Sequence, residues 1–303
     1  MKNESFAGEL ARFFEYFANE LKLTNKSKYT LISYNTTIKS FIEFAKQYEK
    51  PLSFENLKKI DIMNFLEYKN MVLEKQSELQ MSSKKLYITH LKTFFTFINE
   101  NLDIDIKLSA IFKINIKVPK RTPKGVENKD VKILEAYLAS LSLESFLNVR
   151  ASLILKILLY TGARRGELEV LKTKNFIEDG ALYVIHTIGK GDKERTLYIP
   201  KKYIEDELSY YKRNEIDYIA TTKSGKVMDG SQIYRLLNNV YKKIGIHYSG
   251  AHILRHTFAK TMLAKDVNIV TVKELLGHAS IQTTMIYTNP NQKEVQRAYL
   301  DTL

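Results

Sequence analysis

Residues 275–288, LLGHASIQTTMIYT, place a glycine, a histidine and a tyrosine at a fixed spacing in the last third of the chain. Gly277 predicts the end of one helix, because glycine tolerates the left-handed conformation of a helix C-cap. Ser280 can cap a following helix, and Tyr287 would then lie on its second turn, nine residues after His278. The chain contains 19 tyrosines, so the importance of this one depends on the residues that accompany it.

The segment AHILRH, residues 251–256, is the nearest group of polar residues upstream. His252 and Arg255 are three residues apart and share one face of a predicted helix that Ser249 could cap. No carboxylate accompanies the histidines at a metal-ligand spacing, so a cation and an imidazole on one face favour an anionic substrate such as a phosphodiester. The remaining residue, His256, is predicted to pack against or buttress the helix.

The segment TGARRGEL, residues 161–168, predicts a second junction between helices. Gly162 predicts the end of the first helix, and Arg164 then lies near the start of the next. Glu167 shares a helix face with Arg164 and can orient its guanidinium, although an ordinary surface ion pair has the same spacing.

The segment GKGDKER, residues 189–195, predicts a hairpin turn in which two glycines flank Lys190. An open turn would let this lysine reach a ligand, but the same tripeptide is common in turns without function. The spacing of a phosphate-binding P-loop is absent.

The chain divides by pattern into three parts: residues 1–116, a basic linker at 117–127 (KVPKRTPKGVE) and residues 128–303. The first part predicts four helices, which begin near residues 6, 27, 61 and 82 or 83 and form an all-α bundle with an aromatic core rather than a base-stacking platform. The third part predicts helices at 129–141 and 146–161, a hairpin of strands 181–188 and 195–199, and helical structure from 231 to 303. The fold class is therefore mainly α with a small antiparallel β-sheet, an α+β second domain.

Composition narrows the function classes. The absence of cysteine excludes disulfides, thiolate metal sites and cysteine nucleophiles. No run of about 18 apolar residues predicts a membrane span, and the first ten residues lack the pattern of a secretion signal, so a cytoplasmic location is expected. The formal net charge is +13, with 17 basic against 14 acidic residues in 1–116 and 30 against 20 in 117–303. This charge indicates a polyanionic partner, either nucleic acid or an acidic membrane face, unless it merely solubilises the surface.

Taken together, the four segments resemble the catalytic motifs of the tyrosine recombinases, the family of the Xer resolvases and phage-type integrases. The resemblance covers the order Arg164, Lys190, His252-x-x-Arg255, His278 and Tyr287, and departs locally at Ala163, where the family more often has leucine. The motifs lie within 161–287, and the length, helical first part and linker agree with the family's two-domain, C-shaped DNA clamp.

The resemblance implies that Tyr287 attacks a DNA phosphodiester and forms a 3′-phosphotyrosyl link. Arg164 and Arg255 would stabilise the non-bridging oxygens, with Glu167 orienting the arginines. Lys190 would protonate the leaving 5′-oxygen and His252 would accept a proton. His278 would donate a hydrogen bond to the phosphate or hold the site in shape.

The resemblance also implies partners. These are a specific double-stranded DNA site, a homo-tetramer that holds two such sites, and in some relatives a second recombinase or a DNA translocase. Residues 291–303 would dock on a neighbouring protomer, unless they form a helix packed on their own domain. No metal or other cofactor and no membrane partner are expected, and the location would be nucleoid-associated. The role that fits best is resolution of chromosome dimers at a dif-like site. The alternatives are a mobile-element integrase, a type IB topoisomerase, and a non-catalytic DNA-binding protein, which would not explain the six site residues together.

Overall fold

The computed structural model describes residues 3–72, 78–119, 125–189 and 194–287. The chain divides into two compact units, Met1–Lys120 and Arg121–Leu303. None of the described helices is both long and apolar enough to cross a membrane.

The described part of the first unit is entirely helical. The Ser27 hydroxyl accepts the Thr30 N–H at 3.1 Å and so fixes the start of the second helix, as the sequence pattern indicated. The short fifth helix was not predicted. The helices are α1 (Glu4–Leu23), α2 (Lys28–Gln47), α3 (Lys59–Val72), α4 (Met81–Asn101) and α5 (Leu108–Ile111).

Aromatic side chains fill the core of the first unit. Phe41 packs edge-on against Phe65, with ring centroids 5.2 Å apart, and edge-on against Phe95 at 5.8 Å. All three rings are inaccessible to solvent, as are Phe94 and nearly all of Phe17. The prediction that the aromatic stripe forms a core is therefore confirmed, and these rings are not available to stack on bases.

The second unit contains a three-stranded antiparallel sheet with the order β1-β2-β3 among otherwise helical elements. The helix predicted at 146–161 and the predicted hairpin are both present, whereas β1 and α9 were not predicted. The elements are α6 (Asn128–Ala139), α7 (Phe146–Thr161), α8 (Arg165–Val170), β1 (Phe176–Asp179), β2 (Leu182–Ile188), β3 (Glu194–Pro200), α9 (Lys201–Arg213), α10 (Gly230–Lys243), α11 (His252–Leu263), α12 (Ile269–Leu276) and α13 (Gln282–Met285).

Two glycines end the helices that lead into the site. Gly162 caps α7 with φ 62° and Gly277 caps α12 with φ 60°, both left-handed, as predicted. A side chain at residue 277 would also collide with Arg195, whose Cδ lies 2.8 Å from the position of a Cβ. A side chain at residue 162 would likewise collide with Phe258, whose Cδ1 lies 2.6 Å from the position of a Cβ, so both positions need glycine for conformation and for space.

Two predicted helix starts and one predicted helix length differ from the structure. α11 begins after Ala251 without a side-chain cap, so Ser249 does not cap it. α4 begins after Gln80, likewise uncapped, rather than at Ser82 or Ser83. α13 ends at Met285, and Tyr287 lies in the turn that follows instead of on a second helical turn. There the backbone tightens, because the Tyr287 N–H donates to the Thr284 carbonyl three residues back.

Candidate active site

Arg255 is buried on α11 and joins the ends of two other helices. Its Nη1 donates to the Gly162 carbonyl at 2.6 Å and its Nη2 to the Leu276 carbonyl at 2.5 Å. Carbonyls at a helix C-terminus lack partners within the helix and carry partial negative charge, so they suit a guanidinium. These two hydrogen bonds fix the position of the guanidinium. Each uses one N–H group, so other N–H groups of Arg255 remain for a further acceptor.

Glu167 is the carboxylate at the centre of the site and is almost inaccessible to solvent. Its Oε2 accepts the backbone N–H of Arg164 at 2.8 Å, and its Oε1 accepts Arg164 Nη1 at 3.0 Å. Arg195 also donates to Oε2 through Nη1. Glu167 thus caps α8 and holds two guanidiniums at once, which agrees with the orienting role that the sequence suggested.

The C-terminal end of α12 binds three arginines through three consecutive carbonyls. Arg195 Nη2 donates to the Leu275 carbonyl at 2.6 Å, and Arg164 Nη2 donates to the Gly277 carbonyl at 2.6 Å. The carbonyl between them, at Leu276, is the one that accepts Arg255. The three cations, from β3, the start of α8 and α11, therefore meet at one helix end.

The charges in this cluster do not balance. Three guanidiniums meet at this helix end, and Glu167, which bonds to two of them, is the carboxylate that the described residues contribute to their hydrogen-bond network. Desolvation first, and then the charges of Arg164 and Arg195, lower the pKa of Arg255 to about 9. A second anion would offset this excess of positive charge, so the cluster is suited to bind one.

His252 lies beside the arginines at an open cleft of about 410 Å³. Arg164, Arg165 and Arg255 also line this cleft. Desolvation and then the charge of Arg255 lower the pKa of His252, so the imidazole is predominantly neutral at pH 7. His252 and Arg255 both line this basic cleft, in agreement with the sequence prediction that they share one face of a helix.

His278 follows the cap of α12 directly. Its Nδ1 lies 2.8 Å from the hydroxyl oxygen of Thr284, which is fully buried. Desolvation, followed by the charges of Arg255 and Arg164, lowers the pKa of His278 to about 4. Because Nδ1 is engaged with Thr284, Nε2 is the ring nitrogen of His278 that remains for another hydrogen-bond partner.

Tyr287 meets His256 rather than His252. The Tyr287 Oη lies 2.7 Å from His256 Nδ1, and the ring centroids are 5.4 Å apart. The ring of His278 lies nearly parallel to Tyr287 at 6.5 Å. Desolvation raises the pKa of Tyr287, while the charge of Arg255 opposes this shift. The phenol is therefore protonated at neutral pH and is close enough to Arg255 to respond to its charge.

Sequence reasoning missed two residues of this arrangement. His256 was assigned to packing, yet it contacts the Tyr287 hydroxyl. Arg195 was seen only as the start of a strand, yet it is buried against Glu167. Strand periodicity could have found Arg195, because it shares the inward face of β3 with Leu197 and Ile199 and a buried arginine needs an acceptor.

Two predictions concern residues outside the described part of the chain. Lys190 and residues 291–303 both lie there. Within the described ranges, no group of three or more His, Asp or Glu side chains could hold a metal ion.

Comparison with known proteins identifies the family. The Phage integrase family matches residues 126–294, and the Phage integrase N-terminal SAM-like domain matches residues 10–101. Tyrosine recombinase XerH of Campylobacter jejuni is 34% identical over 235 residues, which are 73% of this chain and 65% of that protein. Tyrosine recombinase XerD of Listeria monocytogenes is 30% identical over 285 residues, covering 89% of this chain and 91% of that protein.

A solved structure shows the same fold. It is a XerH site-specific recombinase bound to a palindromic difH substrate in a post-cleavage complex, and it superposes with a TM-score of 0.73. The match covers 91% of this chain and 80% of that one at 24% identity. The family matches over both units and the Xer relatives lead to one conclusion: the chain belongs to the Phage integrase family and is a Xer-type tyrosine recombinase, an enzyme that cuts and rejoins DNA.

Proposed function

We propose that this chain recombines DNA at a specific site through a covalent bond between Tyr287 and a 3′-phosphate. The observation that carries the proposal is the convergence of Arg164, Arg195 and Arg255 on one helix end, with an excess of positive charge near Tyr287. Phosphoryl transfer depends mainly on positioning and on stabilising the charge of the phosphate oxygens. A preformed cluster of guanidiniums supplies both.

The roles of the side chains follow from their positions. Arg164 and Arg255 bind the non-bridging oxygens with N–H groups that are not engaged by the backbone carbonyls. Glu167 keeps the guanidiniums in place. His252, at the cleft, binds a phosphate oxygen, and His278 contributes a second hydrogen bond or maintains the shape of the site.

The leaving group requires a proton donor. We assign Lys190 as the general acid that protonates the departing 5′-oxygen, a role that rests on the resemblance of its motif. The phosphotyrosyl bond conserves the energy of the broken linkage, so attack by a new 5′-hydroxyl rejoins the strand. The reaction therefore needs no ATP, and the arginines take the place of a metal ion in stabilising the charge of the phosphate.

The division of labour along the chain is part of the proposal. Residues 1–116 form a DNA-binding domain, 117–127 a basic linker and 128–303 the catalytic domain. Four protomers hold two DNA sites, and residues 291–303 dock on a neighbouring protomer. The cell compartment is the cytoplasm, on the nucleoid.

The biological role that we propose is resolution of chromosome dimers at a dif-like site, alone or beside a second recombinase and under the control of a DNA translocase. The names of the Xer relatives and the difH substrate of the similar structure support this role. Integration of a mobile element is the alternative, since it uses the same chemistry on different DNA. Sequencing the DNA that cross-links to the protein in cells separates the two roles.

The nucleophile is tested on the DNA so recovered. A duplex with a nick close to the cleavage position loses a short fragment after attack and traps the covalent adduct. Wild-type protein is expected to form the adduct in excess EDTA and without ATP, whereas Tyr287→Phe binds the duplex and forms none. Tyr198→Phe is the matched control, because Tyr198 is an exposed tyrosine on β3 of the same unit. Adduct formation by Tyr287→Phe at the wild-type level would remove Tyr287 from the nucleophile role.

A further inference from the structure

The contact between Tyr287 and His256 has a geometry suited to proton transfer. The phenolic oxygen and the imidazole Nδ1 are 2.7 Å apart, within the range of a direct hydrogen bond. His256 follows Arg255 on α11, so the residue that reaches Tyr287 is fixed by the same helix as the buried guanidinium. Both rings are partly buried, which keeps bulk water from competing for this hydrogen bond.

The charges around His256 keep its ring neutral. His252, Arg255 and Lys260 face it from α11, and Tyr287 and His278 face it from the segment after α12. Desolvation first, followed by His252, Arg255 and Lys260, lowers the pKa of His256 to about 4. The ring therefore has a free lone pair at pH 7, whereas the phenol of Tyr287 is protonated.

Attack on phosphorus requires that the phenolic proton leave Tyr287. His252, the acceptor expected from the sequence, lies at the cleft with its ring 6.1 Å from that of His256. The hydrogen bond that the structure describes for the Tyr287 hydroxyl goes to His256. Geometry must come first in choosing a general base, and it favours His256.

We propose that His256 Nδ1 accepts the phenolic proton of Tyr287 during strand cleavage, an inference that rests on the proposed function. As the bond from Oη to phosphorus forms, the O–H bond breaks and its proton moves to Nδ1. The bond from phosphorus to the 5′-oxygen breaks, and that oxygen takes a proton from the general acid. In rejoining, the new 5′-hydroxyl attacks phosphorus and gives its proton back to the general acid. The bond from phosphorus to Oη breaks, and the protonated His256 returns its proton to the Tyr287 oxygen.

Bound DNA makes this transfer easier. A phosphodiester placed among the arginines offsets part of the positive charge that disfavours protonation of His256. The proton affinity of the imidazole therefore rises in the complex, at the stage of the reaction where an acceptor is needed. The role also requires that the second ring nitrogen, Nε2, carry the hydrogen of the neutral ring.

The test is the pH dependence of single-turnover cleavage on a nicked duplex at saturating protein. In His256→Asn, the amide oxygen can still accept a hydrogen bond from Tyr287 but cannot take its proton. We expect a loss of roughly 10²–10⁴-fold at pH 7, the usual contribution of general acid–base catalysis. The rate of this variant should rise tenfold per pH unit towards the pKa of the phenol and approach the wild-type rate there. The wild-type rate should be level across neutral pH and fall in acid, where a protonated His256 cannot accept.

His252→Asn is the matched control, because it removes the other imidazole of the same helix. It should slow cleavage without introducing the rise with pH. A wild-type rate and a level pH profile for His256→Asn would overturn the proposal. If His256→Ala were slow in that case, the result would indicate that His256 only positions Tyr287.

A measurement on the unaltered protein guards against loss of folding in the variants. The chain has six histidines, so ¹⁵N-histidine NMR of the wild-type protein can resolve the tautomer of His256. Hydrogen on Nε2 at pH 7 is expected, and hydrogen on Nδ1 would overturn the proposal. Failure of the proposed function would look different, because the wild-type protein itself would then trap no covalent adduct.

Discussion

Replacing Glu167 should loosen the whole arginine cluster. Its carboxylate is nearly inaccessible and is bonded to the Arg164 backbone and to the guanidiniums of Arg164 and Arg195. Removing one partner of a buried ion pair costs about 3–5 kcal/mol, because the other charge remains buried without compensation. We expect Glu167→Ala to lower the local unfolding free energy by this amount. Glu167→Gln, which keeps an acceptor for the Arg164 N–H, should lose somewhat less.

Hydrogen exchange measures this effect in the right place. The two units need not unfold together, so a global melting curve would mix their stabilities. Exchange of peptides from α7 and α8, followed by mass spectrometry across a urea series, reports the free energy of opening around Glu167. Glu178→Ala is the control, because it removes an exposed carboxylate of the same unit that pairs with Lys201 and Lys212, and it should leave this protection unchanged.

An added anion should distinguish electrostatics from packing. Without the Glu167 carboxylate, Arg164 and Arg195 lose the anion that they share and the cluster becomes more positive, so sulfate should bind there more tightly. Sulfate should therefore restore protection to Glu167→Gln more than it adds to the wild type or to Glu178→Ala, whose response measures the general effect of this salt. A loss below about 1 kcal/mol, or equal responses to sulfate, would refute the view that Glu167 holds the cluster together through its charge.

Two further predictions concern the DNA complex. If Lys190 is the general acid, Lys190→Ala should cleave an ordinary phosphodiester roughly 10²–10⁴-fold more slowly than the wild type, but a 5′-bridging phosphorothiolate at close to the wild-type rate. Arg164→Ala and Arg255→Ala should stay slow on both substrates. Single-turnover assays on both substrates check this, and equal slowing of Lys190→Ala on the two would exclude the acid role. The basic excess should also give an affinity that falls with salt, with a log–log slope of about −0.9 per phosphate neutralised. Titrations from low to high salt check this, and a flat response would assign the charge to solubility.

Much of the fold could be predicted because it follows from periodicity. The apolar stripe of α1 has a clear helical repeat, and α1 lies where this repeat indicated. The helix predicted at 146–161 is present as α7, although it is buried on most of its sides and its repeat is weaker. The short strand β1 carries no comparable signal, since it has four residues and only Phe176 among them is buried. Glycines predicted the ends of α7 and α12 because left-handed caps depend on one residue alone.

The sequence predicted which residues form the site better than it predicted the contacts between them. Motif spacing brought Arg164 and Glu167 together correctly, since both lie on one helical turn. Spacing could not show whether His252 or His256 reaches Tyr287, because that depends on how the turn after α13 packs against α11. The α13 helix is also shorter than expected, since its buried Thr284 bonds to His278 and the chain turns immediately afterwards.

The three consecutive carbonyls at the end of α12 have a consequence for control of the reaction. The peptide segment that anchors the arginines continues directly into His278 and Tyr287, so anchors and nucleophile belong to one continuous piece of backbone. A displacement of this piece withdraws acceptors from all three cations together, which makes phosphate binding and tyrosine placement mutually dependent. By thermodynamic reciprocity, any partner whose binding to the chain beyond residue 287 changes the affinity for DNA must itself bind with an affinity that DNA changes by the same factor.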